Sequence, residues 1–76
     1  MKKGTQVALW FYDEDGTELY AEVQYVGMSR QGEHQFQSII YGWMYTVSKD
    51  LETVTGPNGT TYKSNTQRAW ADCMKN

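Results

Sequence analysis

The chain is 76 residues long, enough for one domain, and its nine acidic against seven basic side chains give a formal net charge of −2. That balance argues against a general polyanion binder, which carries a basic excess, and no run of eighteen apolar residues is present to cross a bilayer as a helix. Leu, Ile, Val and Phe supply only 12 of the 76 residues, as in many disordered chains, but eleven aromatics and a low net charge predict a folded domain with Trp and Tyr in its core.

Lys2 and Lys3 precede only six apolar residues, Val7 to Tyr12, too few for a signal-peptide core. The single cysteine, Cys73, excludes an internal disulfide. Both features suit a reducing cytoplasm. Residues 5–27 read as a β-hairpin, because Val7, Leu9 and Phe11, and then Leu19, Ala21 and Val23, alternate with a second set of side chains at period two. A two-residue turn at Asp15-Gly16 would place Leu9 opposite Glu22 and mix the two faces. A three-residue loop, Glu14-Asp15-Gly16, pairs Asp13 with Thr17, Phe11 with Leu19, Leu9 with Ala21 and Val7 with Val23. A slip of one residue inverts every side chain, so the apolar face selects the three-residue loop, with Gly16 left-handed.

Met28 to Glu33 reads as a polar loop, and residues 34–49 as an extended, bent strand region with Gly42 at the bend, either one bent strand or two. Along it Ile39, Tyr41, Trp43, Tyr45 and Val47 alternate with Phe36, Ser38, Ile40, Met44 and Thr46. A second hairpin over 51–64 turns at Pro57-Asn58-Gly59, setting Val54 opposite Tyr62 and Thr55 opposite Thr61. Ser64 and Gln67 have capping-box spacing, so a helix is expected over 65–75 with Ala69, Trp70, Cys73 and Met74 on its apolar stripe.

The predicted fold is mainly β with one helix (α+β): a curled antiparallel sheet of four to five strands, a half-open small barrel, and a C-terminal helix in a single domain over 1–76. Its expected core is Val7, Leu9, Phe11, Leu19, Ala21, Val23, Ile39, Trp43, Val54, Tyr62 and Trp70.

Catalytic chemistry is sparse. One histidine, His34, and one distant cysteine do not make a zinc site, and a lone histidine beside a loop is usually solvated. Asp13-Glu14-Asp15-Gly16 lacks the next oxygen ligand and glycine of a calcium loop, since Thr17 and Glu18 stand there. There is no phosphate-binding glycine pattern and no nucleophile elbow. Neither an enzymatic activity nor a metal or cofactor is expected.

Charge is unevenly placed. Residues 4–29 contain five acids and no Lys or Arg, so the first hairpin is an acidic element. Its non-core face sets Trp10 opposite Tyr20, Tyr12 opposite Glu18 and Ala8 opposite Glu22, aromatics framed by carboxylates as in an interface hot spot. The expected function is a non-catalytic protein-binding module, an adaptor or inhibitor. It would capture a basic patch on a larger protein through Trp10, Tyr12, Asp13, Asp15, Glu18, Tyr20 and Glu22. Its size and charge are those of many inhibitors encoded by phages and other mobile elements. So small a core also makes a homodimer the expected assembly. The alternative is a single-stranded nucleic-acid binder that stacks bases on Tyr41, Trp43 and Tyr45.

Overall fold

The computed structural model describes residues 1–65. Six strands follow one another: β1 (Gln6–Tyr12), β2 (Glu18–Met28), β3 (His34–Ser38), β4 (Met44–Val47), β5 (Thr53–Thr55) and β6 (Thr61–Ser64). Each pairs antiparallel with its successor, and β6 returns to β1, closing a barrel in the order β1-β2-β3-β4-β5-β6. The expected four to five strands are therefore six, and the half-open barrel is closed. Closure needs curvature, and much of it comes from β2. Tyr25 opposes Phe36 and Gly27 opposes Gln35, so Val26 is an extra residue that bends the long strand.

The first hairpin has the register that its apolar face demands. Val7 opposes Val23, Leu9 opposes Ala21 and Phe11 opposes Leu19. Asp13 donates its amide to the Thr17 carbonyl at 2.8 Å, and Gly16 is left-handed with φ of 84°. The last hairpin repeats this arrangement. Val54 opposes Tyr62, the Gly56 amide reaches the Thr60 carbonyl at 2.8 Å, and Gly59 has φ of 83°.

Within residues 34–49 the choice left open by the sequence falls on two strands. Phe36 opposes Tyr45 and Gln37 opposes Met44, with Ile39–Trp43 forming the loop between them. Ile39 and Trp43, expected in the core, are not part of it, since both lie on that loop and are 44% exposed. Their places are taken by Phe36, Tyr25 and Val47, which join Leu9, Phe11, Val23 and Val54 inside the barrel. Val7, Leu19, Ala21 and Tyr62 are partly buried and pack against this core. Tyr62 and Tyr45 lie 5.0 and 6.1 Å from the Phe11 ring, and Tyr25 lies 5.2 Å from that of Phe36.

The helix expected over 65–75, with Trp70 and Cys73, lies outside the described residues except for Asn65. That residue prolongs the β6–β1 pairing by donating its amide to the Trp10 carbonyl at 3.0 Å. Among the described residues no helix is long and apolar enough to cross a membrane.

Candidate functional site

On the outer face of the first hairpin, Trp10 and Tyr20 stand directly opposite, with ring centroids 4.9 Å apart and planes tilted by 32°. Period two sends them outward because their neighbours Leu9, Phe11, Leu19 and Ala21 face the barrel interior. Trp10 is half-buried, and Tyr20 is 58% exposed. Tyr12 opposes Glu18 on the same face, and the Asn65 side-chain Nδ2 donates to the Glu18 carboxylate at 3.3 Å. Glu22 opposes Ala8 and is exposed.

The loop between β3 and β4 carries a second aromatic group beside this hairpin, Tyr41 lining a cleft with Tyr20 and Trp43 one with Phe11, Leu19 and Tyr62. Ile40 and Tyr41 are each 68% exposed, and the rings of Tyr41 and Trp43 stack with centroids 4.4 Å apart. Ser38 holds the loop in shape. Its Oγ accepts from the Tyr41 amide at 3.0 Å, its carbonyl accepts from the Gly42 amide at 3.0 Å, and its own amide donates to the Trp43 carbonyl at 2.8 Å. The Gln37 side-chain amide closes the far side by donating to the Gly42 carbonyl at 2.9 Å. Gly42 sits at φ of 77°, a conformation that costs a residue with a Cβ about 1–2 kcal/mol. Nε1–H of Trp43 donates to the Tyr45 hydroxyl at 3.2 Å, so the indole is tethered to the strand below it.

Tyr20 joins the two groups. It packs against Trp10 on one side with its ring tilted, and on the other it lines a cleft of about 250 Å³ with Ala21, Glu22, Ser38, Ile40, Tyr41 and Tyr45. The Ile39 amide donates to the Glu22 carbonyl at 3.0 Å and fixes the loop against β2. An exposed strip thus runs from Trp10 through Tyr20 to Ile40 and Tyr41, with Glu22 at its edge. No family model, curated protein or solved structure matches this chain. Its site is therefore defined by chemistry and geometry alone.

Of the seven residues picked out from sequence, the structure brings Trp10, Tyr20 and Glu22 to this strip, with Tyr12 and Glu18 continuing the same hairpin face. Asp13 and Asp15 are placed otherwise. They lie in the turn whose Gly16 borders a cleft with Glu52 and Lys63, and their carboxylates serve the turn itself. Asp13 accepts from the Glu14 amide at 2.8 Å and Asp15 from the Thr17 amide at 3.0 Å. Hydrogen bonds from Thr17, side chain first and backbone second, hold the Asp15 carboxyl below the ordinary carboxylate value. Ile39 and Ile40 are the residues that sequence reasoning missed. The signal was present: Ile39 to Tyr45 is apolar throughout but for Gly42, and such a run on an exposed loop is a liability unless something covers it.

His34 is not freely solvated. Its Nδ1 lies 3.2 Å from the Tyr25 hydroxyl, and burial, followed by the positive N-terminus, lowers its pKa. Among the described residues no cluster of three or more His, Cys, Asp or Glu side chains is placed to hold a metal ion.

Proposed function

We propose that this protein is a non-catalytic binding module, an adaptor or inhibitor, that captures a larger protein through the strip Trp10, Tyr20, Ile40, Tyr41 and Trp43. The observation that carries this reading is the continuity of the strip through Tyr20, which joins two aromatic pairs into one surface. Aromatic side chains in a well-supported patch are the usual source of binding energy at interfaces, and a loop already held by Ser38 and Gln37 loses little freedom on docking. Glu22 and Glu18 lie along the same face and suit a partner whose surface is basic. Such charges chiefly speed and select the encounter. The low net charge and the single cysteine fit a partner met in a reducing cytoplasm.

Stacking of Tyr41 on Trp43 also supports the second reading, a platform for single-stranded nucleic acid. Electrostatics weigh against it. The cleft beside Tyr41 contains a carboxylate and no cation, while Arg30 and Lys49 sit on the loops at the opposite ends of β3 and β4. A phosphate backbone would meet Glu22 first.

The test is capture from native extract on immobilised protein, before and after nuclease treatment, with Tyr41→Ala and Trp43→Ala as comparisons. A protein retained through nuclease treatment and lost with either variant is the expected result. Recovery of nucleic acid alone, with steep loss on added salt, would replace this reading with the second one.

A further inference from the structure

The strip carries one charged group, Glu22 at its edge. Glu22 lines two clefts, one shared with Tyr20, Ile40 and Tyr41 and the other, of about 340 Å³, with Gln6, Val7, Ala8 and Ile39. Among the described residues, neither a hydrogen-bond donor nor a cation is paired with its carboxylate. Two other polar groups of the first cleft are engaged within the chain. Ser38 Oγ accepts from the Tyr41 amide and the Tyr45 hydroxyl accepts from the Trp43 indole. A partner that covered the strip with apolar side chains alone would bury a bare carboxylate, at a heavy desolvation cost.

We infer that the cleft seats a single arginine side chain of the partner protein, with Glu22 as its counter-ion and Tyr20 and Tyr41 as aromatic walls. This rests on the protein-binding reading above and names what the partner brings. A guanidinium suits the cleft in two ways: its edge forms paired hydrogen bonds with a carboxylate, and its flat face lies against aromatic rings. An anionic ligand is refused by the same carboxylate. The Ile39 amide pins the loop to the backbone of Glu22, so the two sides of the cleft are held together before a ligand arrives.

The experiment titrates the full chain with N-acetyl-arginine N-methylamide and, separately, with its neutral citrulline counterpart, following backbone amide shifts. Saturable shifts centred on Tyr20–Glu22 and Ile39–Tyr41 are expected with the arginine compound. Affinity should fall at least tenfold for the citrulline compound and for Glu22→Gln, and stay unchanged in Glu52→Gln, an exposed acid on the β4–β5 loop. Glu22→Gln keeps the backbone bond to Ile39, and an unchanged melting curve confirms that it folds. Equal binding of citrulline, equal binding by Glu22→Gln, or shifts centred on the Asp13–Asp15 turn would overturn the inference. If partner capture still depends on Tyr41 while Glu22→Gln changes neither readout, the arginine seat is rejected and the binding surface stands. If the chain captures no protein at all, the surface itself is rejected.

Discussion

The loops at the two ends of β3 are built alike and composed in opposite ways. In the loop before β3, the Ser29 carbonyl accepts from the Gly32 amide at 3.0 Å and Ser29 Oγ from the Glu33 amide at 3.1 Å. In the loop after it, Ser38 plays both parts, accepting from Gly42 through its carbonyl and from Tyr41 through Oγ. Both glycines are left-handed, with φ of 83° and 77°. Yet the first loop exposes Arg30 and Gln31, whereas the second exposes Ile39, Ile40, Tyr41 and Trp43. Serine and glycine meet the backbone's demands in each case, so the turn does not require apolar side chains at its tip. Water favours the first composition. The second leaves apolar surface in water, and that contrast is the strongest physical reason to propose the binding surface there.

The largest expected effect lies between the loops. Phe36, fully buried in the middle of β3, is the floor on which both are mounted. Phe36→Ala is predicted to cost about 3–5 kcal/mol, which is comparable to the whole stability of so small a domain. Denaturant unfolding checks it, and a loss below about 1 kcal/mol would mean that the core is misassigned. Next comes binding. Tyr41→Ala is expected to weaken partner affinity about thirtyfold, or ~2 kcal/mol, while Arg30→Ala on the polar loop leaves it within about twofold. Calorimetric titration of the captured partner against both variants separates the loops directly.

A smaller effect sharpens the likeness of the two turns. A Cβ at Gly42 meets nothing nearer than the Gln37 side chain at 4.0 Å, so Gly42→Ala is predicted to cost about 1–2 kcal/mol through backbone conformation alone. At Gly32 the Cβ would also approach the Lys49 side chain to 3.2 Å, and that flexible chain can move aside. Gly32→Ala is therefore expected to match Gly42→Ala in stability but to spare binding. Measured melting and affinity for the pair give a simple two-by-two comparison. The smallest effect belongs to His34, beside the polar loop. Its folded pKa is lowered from 6.5, chiefly by burial and then by the N-terminal charge. Between the lowered value and 6.5 the unfolded chain holds the extra proton, so stability rises with pH across that window and is lost as pH falls through it. Unfolding midpoints from pH 7 to 5 should decline slightly in the native chain and less in His34→Gln.

Much of the fold was legible where apolar alternation and turn chemistry agree. Val7, Leu9 and Phe11 against Leu19, Ala21 and Val23 permit one register, and Asp13 to Thr17 offers the loop it needs. The middle of the chain misled for a physical reason. Ile39, Tyr41 and Trp43 continue the period of Tyr45 and Val47, so an apolar loop looks like more strand. Binary patterning assumes that loops are polar, and here an exposed apolar loop breaks the assumption. Two other features had no sequence signal: the bulge at Val26, and Leu51, which packs on the core at φ of 65°, where glycine would be expected. In the site, the opposition of Trp10 and Tyr20 followed from register. The meeting of Tyr20 with Ile40 and Tyr41 did not, because it depends on how tightly β2 curls toward β3.

The central claim is that Tyr41 and its neighbours are exposed for a partner and contribute little to the barrel. The most direct measurement pairs the unfolding midpoint of Ile40→Ser/Tyr41→Ser with its retention of the captured protein. The double variant is predicted to keep its stability within about 1 kcal/mol, since both side chains are 68% exposed, and to lose retention altogether. A variant that unfolds, or one that folds and still holds the partner as tightly as the native chain, would contradict the account.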